Sequence, residues 1–183
     1  MVPKRVFDFI VALFGLLVGS AGFFLIFIFA SWETNFNGLF FQQRIGQYGK
    51  VFTLVKFKTF HPITGKVSTI GHFLRNSKLD ELPQLWNVLI GDMSLVGPRP
   101  DVPGYYDQLE GENIKILELK PGITSLASIK YNNEEYLLAK QNDPVKYNDE
   151  VIFPDKVRMN LEYYYNRSFL GDLKIIWKTV FRK

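Results

Sequence analysis

Between Asp8 and Glu33 runs a stretch of 24 residues, Phe9 to Trp32, without a single charged side chain. As a helix it would measure roughly 36 Å at about 1.5 Å per residue. The hydrocarbon core of a bilayer is about 30 Å thick, so a segment this long and apolar is expected to enter a membrane. It exceeds a signal-peptide apolar region, and no convincing small-x-small cleavage site follows it. Lys4 and Arg5 ahead of it predict a cytoplasmic N-terminus, and Trp32 suits the membrane–water interface. Whether the segment crosses is a separate question. Its midpoint reads Gly19-Ser20-Ala21-Gly22, and Gly/Ser pairs are places where helices bend. Hydropathy alone favours a crossing, with Glu33 onward on the far side, while a re-entrant helix would bring that chain back. Basic residues occur on both sides, so charge does not decide.

The remainder has the composition of a folded domain, and its residue inventory excludes much chemistry. The 183 residues contain no cysteine, which removes disulfides, thiolate metal sites and cysteine nucleophiles. Two histidines leave little for a zinc site or a Ser-His-Asp triad. A metal here is expected to be hard and oxygen-liking, such as Mg²⁺. The net charge of +4 fits phosphate ligands or an anionic membrane surface. No P-loop, Rossmann glycine pattern or internal repeat occurs, and no nucleic-acid partner is expected.

After Glu33, "LFFQQRIGQYGKVFTLVKFKTF" reads as two strands around Gly46-Gln47-Tyr48-Gly49. Alternation in the second strand places Lys56 and Lys58 on one face beside Leu54, either a solvated face or a phosphate-binding wall. "TIGHFLRNSKLDELPQLWNVLIGD" then reads as helix, break, helix. Pro83 suits a first helical position, and Leu85, Trp86, Val88 and Leu89 supply an apolar face that Gly91 terminates. Asp80 and Glu81 therefore fall at the positive end of a helix dipole, where capping alone would account for them. An aspartate so placed could also be a covalent nucleophile towards phosphorus or a ligand of Mg²⁺. Arg75, Lys56, Lys58 and Arg99, the last held in "GPRP", could neutralise phosphoryl oxygens.

In order along the chain come "KRVFD", the strand pair above, "IGHFLRNSKLDELPQLWNVLIGDMSLVGPRP" and "KPGIT". On these motifs the chain resembles the monotopic phosphoglycosyl transferases, bacterial sugar transferases that begin lipid-linked glycan assembly. The resemblance implies transfer of a sugar-1-phosphate from a UDP-sugar to polyprenyl (undecaprenyl) phosphate, with UMP released and Mg²⁺ required. It matches Asp80 to the nucleophile, which also meets the metal, and Glu81 to its partner acid. Lys56, Lys58, Arg75 and Arg99 would contact phosphate or nucleotide, and Thr59 and Gln84 join them as substrate-binding residues.

It also implies an α+β fold: a re-entrant membrane helix over residues 1–33, then a small helix-rich cytoplasmic domain over 34–183 with a short β-hairpin and amphipathic interfacial helices. The location implied is the cytoplasmic face of a bacterial inner membrane, with membrane lipids as partners and a homodimer allowed. Members usually carry a Ser-Pro pair at the bend, whereas here Ser20 is followed by Ala21 and Gly22. Lys4, Arg5, Ser20, Gly22, Trp32 and Trp177 are the residues expected to serve the membrane. Downstream, "SLASIKYNNEE" replaces a "GLAQVxGR"-like run, and 134–154 reads as a short helix with a polar loop. In the last segment Leu173, Ile176, Trp177 and Val180 share one helical face, with Lys174, Lys178 and Arg182 on another. That pattern suits an interfacial helix or an ordinary packing helix. The rival to an enzyme is a membrane-anchored basic recruitment module, and a second is a lipid-phosphate hydrolase using Asp80.

Overall fold

The computed structural model describes residues 2–181. The fold is α+β, and the chain divides into two compact units: residues up to Arg44 with Val51–Ser94, and Ile45–Lys50 with the chain from Leu95 onward.

The first unit is built on α1 (Val2–Thr34), one uninterrupted helix of 33 residues. Gly19 to Gly22 stay helical, so the expected bend is not a break; Ser20 is exposed and its Oγ donates back to the Leu17 carbonyl. The helix is long and apolar enough to cross a membrane. Most of it is exposed, including Phe14, Leu17, Val18, Phe24 and Trp32. Its covered side is a narrow stripe through Asp8, Ala12, Ala30 and Thr34, residues that recur near the helical period. Along that stripe α1 packs on the rest of the unit: on α3 (Gln84–Ile90), on α2 (Thr69–Ser77) and on the strand Val51–Phe57. Phe23 meets Phe57 edge-on, with ring centres 6.3 Å apart.

β1 (Leu39–Ile45) and β2 (Val51–Phe57) form the expected hairpin, turning through Gln47–Gly49. Lys58 directly follows the last residue of β2, its N–H donating to the Gly38 carbonyl at 2.7 Å, and its Nζ lies 5.5 Å from the ring centre of Phe36. α2 begins at the Ser68 cap, whose Oγ accepts from the Gly71 N–H. A Cβ on Gly71 would lie 2.1 Å from the Thr59 carbonyl oxygen, so glycine allows this helix to press on the end of the hairpin.

Of the apolar face expected for α3, Val88 is fully buried, Leu85 and Leu89 are half-buried and only Trp86 stays exposed; the covered side also takes in polar residues. Gln84, Asn87 and Val88 point inward, while Trp86 and Ile90 are half exposed. The reason lies in Asn87, which is fully buried. Its Nδ2 donates to the Thr53 carbonyl at 2.8 Å and its Oδ1 accepts from the Val55 N–H at 3.1 Å. The side chain thus supplies the hydrogen bonds a third strand would give to β2.

A second sheet that the sequence did not suggest, β3 (Ser94–Val96) with β4 (Gly122–Thr124), belongs to the second unit from Leu95 onward. Strands of three residues are too short to show a two-residue period. A Cβ on Gly122 would stand 2.1 Å from the Gly97 nitrogen, so this pair meets backbone to backbone. Ile45, Tyr106, Ile116 and Val157 form a core cluster here. The stretch 134–154 is more helical than expected: α5 (Glu134–Ala139), α6 (Pro144–Tyr147) and a π turn lead into α7 (Phe153–Asn166). α4 (Leu126–Lys130) precedes them. In α8 (Phe169–Val180) Asp172 and Ile175 are buried, while Leu170, Trp177 and Val180 are exposed. One side therefore packs and another stays open, with Trp177 stacked on Phe181. Arg182 lies outside the described residues.

Candidate active site

Asp80 and Glu81 sit in a 3-10 turn, Leu79–Glu81, between α2 and α3. Lys78 opens it with φ 59°, a left-handed conformation that costs a lysine about 1 kcal/mol or more. That reversal folds the acids back beside β2. The expected capping of α3 does not take place: no side chain caps it, because the N–H groups of Leu85 and Trp86 already bond the carbonyls of Leu82 and Pro83. Asp80 Oδ1 in particular is not spent on a helix end.

Each acid is only 8% exposed, yet their surroundings differ. Glu81 Oε1 lies 3.4 Å from Lys56 Nζ, a pair that is itself largely buried. Asp80 Oδ1 is buried with no hydrogen-bond partner. A buried, unmatched carboxylate oxygen is costly to keep in a folded protein, and such a group calls for an explanation. Burial, then the Glu81 charge, holds the Asp80 carboxyl above the ordinary carboxylate range, with Lys56, Lys78 and Arg75 opposing. Arg75 comes from the last turn of α2, and its Nε donates to the buried Thr59 Oγ1 at 2.9 Å. That bond fixes the plane of the guanidinium.

The first unit therefore carries Lys56, Thr59, Arg75, Asp80, Glu81 and the buried Gln84, with Lys58 directed onto Phe36. Arg99 belongs to the second unit, half-buried beside Ile45, Tyr106 and Ile116. Asn87 was not recognised from the sequence, since an asparagine within an apolar helix carries no signal of what it bonds. Among the described residues no cluster of three or more histidines, aspartates and glutamates forms a ready metal cage. The donor set does fit a Mg²⁺ ion of the kind that takes one or two carboxylates and completes its shell with water and substrate phosphates. Asp80 Oδ1, buried and without a partner, is the atom suited to it.

A family model described as "Bacterial sugar transferase" matches residues 1–183. The chain belongs to that family. This transferase is 34% identical to the "Uncharacterized sugar transferase EpsL" of Bacillus subtilis (strain 168), across 98% of this chain and 86% of that protein. It is 34% identical to a Klebsiella pneumoniae protein named "UDP-glucose:undecaprenyl-phosphate glucose-1-phosphate transferase", across 100% of this chain and 40% of that one. The "Undecaprenyl-phosphate galactose phosphotransferase" of Salmonella typhimurium is 29% identical, with 96% of this chain and 39% of that protein aligned. The transferase thus spans about two-fifths of the length of the latter two relatives.

Proposed function

We propose that this transferase moves a sugar-1-phosphate from a UDP-sugar to polyprenyl phosphate, releasing UMP and starting a lipid-linked glycan. The observation that carries the reading is Asp80: a buried carboxylate with one unmatched oxygen, set among Lys56, Arg75 and Lys78. The names of the Klebsiella and Salmonella relatives support the substrate classes.

An Asp80 oxygen attacks the sugar-bearing β-phosphorus of the donor. The bond from that phosphorus to the bridging oxygen breaks, and UMP leaves with the bridging oxygen and its electron pair. The phosphosugar is then held on Asp80 as an acyl phosphate. In the second step an oxygen of polyprenyl phosphate attacks the same phosphorus, and the bond to Asp80 breaks to restore the carboxylate. Glu81 accepts the proton that the acceptor phosphate gives up, with Lys56 balancing its charge beforehand. The carboxyl of Asp80, held above its ordinary range, makes the more basic nucleophile once ionised. Arg75, oriented by Thr59, and Lys56 place positive charge where phosphoryl oxygens collect it. Asp80 would hold Mg²⁺ together with the donor's phosphates; when bound, the ion neutralises phosphoryl charge.

The same reading places the protein on the cytoplasmic face of a bacterial inner membrane, with α1 entering and leaving from that face. Support comes from the covered stripe of α1, which follows the first unit from Asp8 to Thr34, so the unit that bears Asp80 accompanies both ends of the helix. Half-exposed Trp86 and Ile90, and Phe73 at 63% exposure, extend the apolar surface of α1 onto α2 and α3. The recruitment-module alternative gives no role to a buried unmatched carboxylate.

The test uses membranes bearing the full chain, polyprenyl phosphate, Mg²⁺ and a panel of UDP-sugars that includes glucose and galactose. The expected result is UMP release with at least one donor, lost in Asp80→Asn, and a phosphosugar adduct on Asp80 by mass spectrometry. UMP release that persists in Asp80→Asn overturns the nucleophile, and no UMP from any donor overturns the reaction. Labelling an Asn35→Cys variant only from the periplasmic side would refute the topology.

A further inference from the structure

α1 looks like an anchor, yet its two polar ends are spent on the helices that flank Asp80. At one end the Arg5 guanidinium spans the last turn of α3: Nη1 donates to the Val88 carbonyl at 2.5 Å and Nη2 to the Leu89 carbonyl at 2.8 Å. Helix ends leave their last four carbonyls unmatched. The N–H groups of Gly91 and Met93 satisfy that of Asn87, and Arg5 satisfies the next two. Three residues on, buried Asp8 accepts from Ser94 Oγ at 2.7 Å, fixing the chain that leaves α3. At the far end of α1 both Glu33 oxygens accept from the Ile70 N–H, at 3.2 and 3.1 Å, in the first turn of α2. A cation thus stands at the negative end of one helix and an anion at the positive end of the other, each the favourable sense for the dipole.

We propose that α1 braces the α2–turn–α3 segment, with Arg5 and Glu33 as positioning residues for Asp80. The proposal rests on the catalytic reading of Asp80 given above. α3 has seven residues and α2 nine, both far below the length at which an isolated helix persists in water. Their direction is therefore set by what grips their ends. The turn with Asp80 and Glu81 lies between them, and its left-handed entry at Lys78 is the kind of conformation that persists only when its surroundings enforce it. Release of the α3 end lets the turn relax and moves the nucleophile. Arg5 therefore does more than mark membrane orientation, since a positive-inside signal needs its charge and not its shape.

That difference supplies the test. Arg5→Lys keeps the charge and the orientation signal, but an ammonium cannot span two carbonyls as the planar fork does. In full-length protein in membranes, kcat for UMP release should fall about tenfold while KM for the UDP-sugar stays within about twofold, as for misplaced chemistry with intact binding. The membrane-bound fraction should equal wild type. Amide exchange across Leu85–Ile90 should quicken about tenfold, with α1 amides unchanged. Glu33→Ala should behave in the same way at α2, and Glu33→Gln, which keeps an accepting oxygen, should recover most of the activity. Arg5→Lys with kcat within twofold of wild type and unaltered α3 exchange overturns the brace. So does loss of that variant from the membrane, which would assign Arg5 to orientation alone. If wild type releases no UMP, the function fails while the exchange arm still decides whether α1 braces α3.

Discussion

Replacing Asn87 by alanine should damage this protein more than any sequence inspection would suggest. The side chain is fully buried and gives β2 two hydrogen bonds, to the Thr53 carbonyl and from the Val55 N–H. β2 pairs with β1 on its other edge, so these two groups have no second strand to turn to. Truncation strands one part-buried donor and one part-buried acceptor, each worth about 1–2 kcal/mol when unmatched, and leaves a cavity where the fully buried amide stood. The expected loss is about 2–5 kcal/mol. At about 2–4 °C per kcal/mol for a chain of this size, the melting midpoint should fall by roughly 10 °C. Thermal unfolding in detergent micelles, followed by circular dichroism, reads this directly. The functional consequence follows from Lys56, next in sequence to Val55 and partner of Glu81: a loosened β2 loosens that pair, so UMP release should fall as well. Asn87→Asp keeps the acceptor towards Val55 but sets an oxygen against the Thr53 carbonyl, and should be no better than alanine. A midpoint for Asn87→Ala within 2 °C of wild type would refute the reasoning, since it would mean that β2 needs no partner on that edge.

Asp80→Asn should abolish turnover and yet stabilise the fold at neutral pH. Because the Asp80 carboxyl titrates above its ordinary value of 3.8 in the folded chain, the folded state holds that proton more tightly than the unfolded state. Stability from this group therefore falls as pH rises from the unfolded value through the raised one, and the full cost is present above it. Melting midpoints from pH 4 to 8 should show the variant gaining on wild type with rising pH; a gap that stays constant or reverses would argue against it. Gly122→Ala should cost about 3 kcal/mol, the upper end for overpacking, because its Cβ would meet only Gly97 backbone. Gly22→Ala, where an added Cβ meets nothing, should leave the midpoint unchanged or slightly higher, and equal effects at the two glycines would contradict the packing described.

The legible part of the fold was the part with a repeating or punctuated signal. The apolar run became α1, the turn at 46–49 joined β1 to β2, and Gly91 ended α3. β3 and β4 escaped because three residues carry no period, and the polar part of the buried side of α3 escaped because an apolar helix face draws the eye away from Gln84 and Asn87. Here the buried side joins Val88 to Gln84 and Asn87, the last of which bonds a strand edge, while Trp86 and Ile90 stay exposed beside an exposed apolar helix. The partners of Lys56 and Lys58, the Glu81 carboxylate and the Phe36 ring, come from outside the strand and could not be read from its alternation.

Residue order by itself determined that this chain has a membrane-length apolar helix, no cysteine and only two histidines, and two adjacent acids ahead of a short helix. Local rules could read these because each depends on neighbours along the chain. Tertiary structure alone decided that the two acids are not equivalent. Asp80 keeps a buried oxygen without a hydrogen bond, and Glu81 is held by Lys56, 25 residues away in sequence. It also decided that Arg5 reaches carbonyls 83 and 84 residues further on. Burial and hydrogen-bond supply are set by what folding brings alongside, and neither capping nor anchoring could be told from chemistry until those neighbours were in place.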